Sequence, residues 1–250
     1  MPGLDRDAII AAGQRMLPGF DRLLMRSSTL PAQPVLPNSR FGWIPYLESR
    51  APEIRAEADV LLTDRMSVPS VREISPDHGK IALDGKWRSF FLWAYGVRIE
   101  ANCARCPETA AIVEKIPGLL SAFYSVMLKG AHVPRHTGPT KAILTAHLGL
   151  IVPHERARCH MDVAGEDVVW EEGRVTVFDD MYPHEVWNDT DEDRIILLLH
   201  IKRPLNFPGS ALRDLFFAAL RASPFVRDGL RNLENWAPAK TDPASSAQAA

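Results

Sequence analysis

The chain has 250 residues and a formal net charge of −2, from 29 Lys and Arg against 31 Asp and Glu. That length suffices for one well-buried domain, and a balance this even, without a basic domain or tail, argues against nucleic acid as a partner. No apolar run reaches the length of a bilayer span and the first residues lack the pattern of a secretory leader, so the expected location is the cytoplasm. The cysteines agree with a reducing compartment. Cys103-Ala-Arg-Cys106 has no second Cys-x-x-Cys to complete a zinc site and is expected to be inert.

Leu4 to Leu17 has helical periodicity, and the Pro- and Ser-rich stretch from Ser27 to Ser39 reads as an extended crossing or linker. Phe41, Trp43, Ile44 and Tyr46 form an aromatic cluster suited to packing on the main body. A helix is predicted over Ala51 to Leu62, with Pro52 at a tolerated early position and Ile54, Ala58, Leu61 and Leu62 on one side. Residues 1–85 thus read as a helical and loop elaboration packed on the core. From Lys86 the pattern turns to sheet. Trp87 to Gly96 is aromatic enough for a strand, Glu108 to Lys115 is a short helix ended by Pro117-Gly118, and further strands are expected at Ala122 to Leu128, Ile143 to Val152, Ala157 to Val163, Val175 to Phe178 and Arg194 to Lys202. Gly165-Glu166 and Glu172-Gly173 read as hairpin turns, and Asn188 to Asp193 as a polar loop. Many short strands divided by turns favour a barrel or sandwich over alternating β-α units, so residues 86–204 are predicted to be a mostly β core. After Pro204 helical spacing returns in Leu212, Leu215, Phe216, Ala219 and Leu220, with a second short helix after Pro224 using Val226, Leu230 and Leu233. Residues 205–236 read as a C-terminal helical extension, and 237–250 as a disordered tail. Phe216, Phe217 and Phe225 among Arg213, Arg221 and Arg227 would also suit a peripheral membrane contact, although packing on the barrel is the preferred use.

The chemistry concentrates between His136 and His200. His136 and His184 each stand at the edge of a strand-like segment, and a sheet folded back on itself brings such residues together on a metal. Neutral imidazoles suit Fe(II) or Zn, and a two-histidine site with open positions is a recurring arrangement for oxygen chemistry. The carboxylate that usually completes such a triad, two residues after the first histidine, is here Gly138, so the metal would hold two protein side chains unless Asp179 or Asp180 turns inward. The preferred reading of those aspartates is hydrogen bonding that orients the loop before His184. Arg194 opens the apolar strand Ile195 to Leu199, where a guanidinium can grip a carboxylate with two parallel hydrogen bonds; the competing reading is a surface pair with Asp191 or Asp193. His147 sits between Ala146 and Leu148, as a core histidine would, and Trp170 and Trp187 read as packing.

His-Thr-Gly-Pro-Thr from His136, His-Leu-Gly-Leu from His147, Trp-Glu-Glu-Gly-Arg from Trp170, Phe-Asp-Asp from Phe178 and His-Glu-Val-Trp-Asn from His184 follow in an order and spacing that resembles the aspartyl/asparaginyl beta-hydroxylase family. The likeness is dense from about Ser125 to Pro204 and weaker back to Trp87. It implies a non-haem iron and 2-oxoglutarate dependent dioxygenase on a double-stranded beta-helix, a jelly-roll or cupin-like core with flanking N- and C-terminal helices. It implies Fe(II) held by His136 and His184, with water in place of an acidic ligand, so that Gly138 agrees with the family. It also implies that Arg194 and Ser125 hold the distal carboxylate of 2-oxoglutarate, that His147 helps bind this cosubstrate, and that molecular oxygen is the second cosubstrate.

One departure bears on substrate. Family members acting on acidic or amide side chains are expected to use arginines in the strand before His-Leu-Gly-Leu, where this chain has Ile143 and Thr145. A cation for a substrate carboxylate would then have to come from Arg135, His154 or Arg158. Thr145, Arg158 and Trp87 are the candidate substrate contacts, with Trp87 and Arg88 placed near the pocket mouth. The expected activity is hydroxylation of an unactivated carbon, with a peptide side chain, an amino-acid-derived metabolite or a lipid acyl chain as substrate. The alternative is a non-catalytic metal or small-molecule binding module of the same fold.

Overall fold

The computed structural model describes residues 17–63, 65, 68–74, 84–223, 226, 229–231 and 233. The strands are β1 (Val35–Leu36), β2 (Trp87–Ala94), β3 (Val97–Arg98), β4 (Leu119–Met127), β5 (Ala131–His136), β6 (Ile143–Ile151), β7 (Cys159–Val163), β8 (Glu166–Val169), β9 (Val175–Phe178), β10 (His184–Asn188) and β11 (Arg194–Lys202). The helices are α1 (Ile44–Ser49), α2 (Ala51–Leu61), α3 (Val71–Ile74), α4 (Glu100–Cys103), α5 (Pro107–Val113) and α6 (Gly209–Ala222), preceded by a helical stretch over 17–25. Seven strands form one sheet in the order β1-β9-β6-β11-β4-β2-β3, and four form a second in the order β5-β10-β7-β8. Every strand pairing is antiparallel. The core is the predicted jelly-roll, a double-stranded beta-helix flanked by helices.

Strand alternation divides the core in two. On β11, Ile195, Leu197, Leu199 and Ile201 join a cluster with Leu47, Ile54, Ala58 and Ile112 from the helices. The intervening Ile196 and Leu198 face between the sheets, with Phe123, Met127, Met161, Val163 and Phe178. A strand covered on both faces reads as a continuous apolar run, so the sequence locates β11 but not its two sides. Residue Arg194 belongs by alternation to the face between the sheets. A third cluster joins Ile143 and Leu120 to Leu24 and Phe217, tying the 17–25 helix and α6 to one end of the barrel.

Strands β9 and β11 have the expected bounds, β4 begins at Leu119, and residues 156–158 form a 3-10 turn ahead of β7. The linker-like segment contributes edge strand β1, with Val35 opposite Phe178. Strands β5, β8 and β10 escape the sequence reading because they are short and keep polar residues on their outer face, where pairing rather than composition makes them strands. In α6 the inward residue is Phe217, 2% exposed, while the expected core residue Leu215 is 68% exposed, because the contact with Leu24 and Ile143 sets the helix rotation. Most of the predicted Leu4 to Leu17 helix, most of the helix after Pro224 and the tail from 237 lie outside the described residues. Cys103 and Cys106 are buried free thiols, with burial pushing Cys106 up to about 12, which agrees with the inert reading. No helix among the described residues is long and apolar enough to cross a membrane.

Candidate active site

Pairing of β10 with β5 sets His184 directly opposite His136. Their ring centroids lie 4.1 Å apart. Each ring is oriented in the same way: Nδ1 of His136 is 2.8 Å from the carbonyl oxygen of Pro134, and Nδ1 of His184 is 3.0 Å from that of Tyr182. A carbonyl only accepts, so in both rings Nδ1 carries the proton and donates, and Nε2 keeps its lone pair. Burial lowers the pKa of both, that of His184 to about 4 with help from neighbouring His136, so both are neutral at pH 7. Two neutral rings with free Nε2 lone pairs are the donor set a divalent transition metal takes.

The third ligand position is closed by a contact that the sequence did not reveal. A Cβ on Gly138 would overlap the Asp180 carboxyl group, and the Gly138 amide donates to the Asp180 carbonyl oxygen at 2.7 Å. Asp180 Oδ2 accepts a hydrogen bond from Thr145 Oγ1 at 3.0 Å, while its buried Oδ1 has no partner. Desolvation pushes this carboxyl group up to about 7. Asp179 turns the other way, toward Lys141 and the fully buried Arg203, and accepts from the Met181 amide. Its role is the loop-orienting one. Among the described residues no group of three or more His, Cys, Asp and Glu side chains could hold a metal, which leaves the two-histidine reading.

Deeper between the sheets Arg194 is 3% exposed and meets no carboxylate among the described residues. Its Nη2 is 3.4 Å from Ser125 Oγ, its guanidinium lies 4.5 Å from the centre of the Trp170 ring, and its Nε has no partner. The surface pairing with Asp191 or Asp193 is therefore not formed; Asp193 receives the Lys129 amide and Arg65 instead. Burial brings Arg194 down to about 10, which leaves it cationic at pH 7. Ser125 Oγ accepts from Arg194 and from the Trp87 indole at 3.0 Å, so its own proton is free to donate. His147 is also buried, and its Nε2 has no partner. A buried cation and neutral donors lacking an acceptor fit a carboxylate ligand such as 2-oxoglutarate, since charge left unpaired in a dry site is costly.

The candidate substrate contacts fare differently. Thr145 lies at the histidine end through its bond to Asp180. Trp87 does not; its register opposite Met127, itself opposite Arg194, puts it beside Ser125. Arg88 points away, to the Val68 carbonyl. Arg158 precedes β7, whose far end at Val163 is the one opposite His184, and it pairs with Glu155 at 2.7 Å. Arg135 pairs with Asp162 and exposed His154 with Glu192, so none of the three proposed replacements is brought to the histidine pair.

The sequence model of the aspartyl/asparaginyl beta-hydroxylase family matches residues 48–204. The chain belongs to that family of hydroxylases. Among its relatives, the ornithine lipid ester-linked acyl 2-hydroxylase of Rhizobium tropici is 36% identical over 216 residues, covering 86% of this chain and 77% of that protein. The human aspartyl/asparaginyl beta-hydroxylase is 39% identical over 134 residues, 52% of this chain but 17% of that protein. Among solved structures, the cupin domain of an XRE family transcriptional regulator from Enterobacter cloacae has 13% identity and a TM-score of 0.33, covering 48% of this chain and 99% of that one.

Proposed function

We propose that the protein is an Fe(II)- and 2-oxoglutarate-dependent dioxygenase that hydroxylates the acyl chain of a lipid. The observation that carries the cofactor assignment is Arg194, a cation held between two sheets without a carboxylate among the described residues, in the same barrel as two histidines whose Nε2 lone pairs are free. His136 and His184 would hold iron, and Arg194, Ser125 and His147 would hold the cosubstrate. Iron with 2-oxoglutarate and molecular oxygen supplies the oxidising power that replaces C–H by C–OH. The chain supplies orientation: two imidazoles fixed by backbone carbonyls, a guanidinium held over an indole, and an interior dry enough to keep the charge-assisted contacts strong.

The substrate class follows from what stands in the arginine positions. Ile143 is packed against Leu24 and Phe217, and Thr145 is committed to Asp180. Phe91, Phe123 and Leu198 lie by alternation on the same face as Thr145 and Arg194, and Phe91 stacks on Phe123 with centroids 4.2 Å apart. Apart from Arg194, which the cosubstrate would occupy, that wall is apolar, and it favours a hydrocarbon chain over a second carboxylate, which would lose its hydration with nothing in return. A relative matched over 86% of this chain is named for an acyl substrate, which supports the same choice. The deciding experiment incubates the iron-loaded protein with 2-oxoglutarate, labelled oxygen and cell extract split into peptide, polar-metabolite and lipid fractions. Label is expected in hydroxylated lipid acyl chains, and Thr145→Arg should depress it. Efficient labelling of aspartate or asparagine at the β carbon would reject the substrate assignment, and absence of 2-oxoglutarate binding would reject the cofactor assignment.

A further inference from the structure

Trp170 joins the two groups that would receive the cosubstrate. It follows β8, is 1% exposed, and its indole N–H donates to Nδ1 of His147 at 3.2 Å, while Arg194 lies over its ring. It reaches that place because position 149 is glycine. A Cβ there would collide with the Glu171 carbonyl, and the backbone instead closes a bridge between Gly149 and Glu172, which lays the segment after Trp170 along β6.

An indole N–H has a proton to give and no lone pair to accept with. Nδ1 of His147 must therefore be the bare nitrogen, and a neutral ring then carries its proton on Nε2. Burial and nearby Arg194 keep the ring neutral, lowering its pKa well below the ordinary value. This is the opposite tautomer from His136 and His184, whose Nδ1 protons go to backbone carbonyls. The three imidazoles are thereby sorted by their partners into two that offer a lone pair and one that offers a proton. Nε2 of His147, buried and without a partner, is the proton so offered.

We infer that Trp170 is the positioning residue of the cosubstrate pocket: it fixes His147 as the Nε2–H tautomer, making it a hydrogen-bond donor to a ligand carboxylate and barring it from the metal, and it holds the Arg194 guanidinium plane with its ring. The inference rests on the cosubstrate reading proposed above. Its first half is independent of that reading.

The test uses the full chain labelled with ¹⁵N, with the His147 ring signals assigned by their loss in His147→Gln. In the metal-free wild type at pH 7, Nε2 of His147 is expected to be protonated and Nδ1 bare, and adding 2-oxoglutarate to the zinc-loaded protein should move the Nε2–H proton downfield. Trp170→Phe keeps an aromatic face under Arg194 but removes the donor. It should shift His147 toward the other tautomer and weaken 2-oxoglutarate roughly tenfold, with zinc affinity unchanged. A proton on Nδ1 in the wild type, or a Trp170→Phe protein with unaltered tautomer and cosubstrate affinity, overturns the inference. Should that variant fail to fold, the wild-type spectra still decide it, because an Nε2–H signal indifferent to bound 2-oxoglutarate also overturns it. A wild type that binds no 2-oxoglutarate would instead bring down the cosubstrate assignment, leaving the tautomer to be decided by the metal-free spectrum.

Discussion

Arg194 holds a positive charge between two sheets with a serine hydroxyl and an indole face beside it and, among the described residues, no counter-ion. Such a group works against folding unless a counter-ion joins it, because an uncompensated buried charge is among the costliest features a core can carry. Arg194→Met should therefore raise the stability of the ligand-free protein, by on the order of 1–4 kcal/mol in chemical denaturation, while removing measurable 2-oxoglutarate binding. A variant that binds 2-oxoglutarate normally would show that the guanidinium does not hold the cosubstrate. Thr145 illustrates the opposite economy. Its hydroxyl is taken by Asp180, so a position expected to meet substrate also secures the loop beside the histidine pair.

The element on which the histidine pair depends is the couple of loops after β5 and before β10, joined where the Gly138 amide meets the Asp180 carbonyl oxygen. The two are pressed together so closely that the Asp180 carboxyl group fills the space a side chain at 138 would need. Gly138→Ala should cost roughly 1–3 kcal/mol by overpacking. Adding Asp180→Ala should restore most of that loss, since the clash has one identified partner, and a double-mutant cycle in urea measures the coupling. Additive losses would mean that Gly138 is needed for some other reason. The same contact predicts that Gly138→Asp cannot simply rebuild a three-ligand site, because the new carboxylate would start inside an existing one.

For the molecule as a whole, the proposed ligands bind a site that both sheets build and that the unfolded chain does not have. Binding must then raise the melting temperature. With cobalt in place of iron to prevent turnover, 2-oxoglutarate at a hundred times its Kd should add about 2.7 kcal/mol, which for a domain of this size is a shift of about 5–10 °C. The shift should depend on prior metal and vanish in Arg194→Met. A metal-independent shift of the same size would place the anion somewhere other than beside the histidine pair. At the end of the barrel bearing Ile143, the 17–25 helix and α6 meet through Phe20 and Phe216, whose rings are 4.7 Å apart, so segments near both ends of the described chain close the same face.

Much of this was legible in the residues. The aromatic and β-branched runs of β2, β6, β9 and β11 announce themselves because local pattern and final structure agree, and the family motifs mark His136, His184, His147, Ser125 and Arg194. Strands β5, β8 and β10 were not legible, since their composition permits a loop and only their neighbours supply the hydrogen bonds. Nor were the meeting of Gly138 with Asp180, the placing of Trp87 beside Ser125, or the indole of Trp170 against His147, each of which joins residues from separate elements. The sequence by itself determined which residue types are present for chemistry and that Ser125, His147 and Arg194 lie on strands. Only the tertiary structure decided which nitrogen of each histidine is free and which cation lacks a carboxylate among the described residues, because both depend on what stands a few ångströms away rather than on what stands next in the chain.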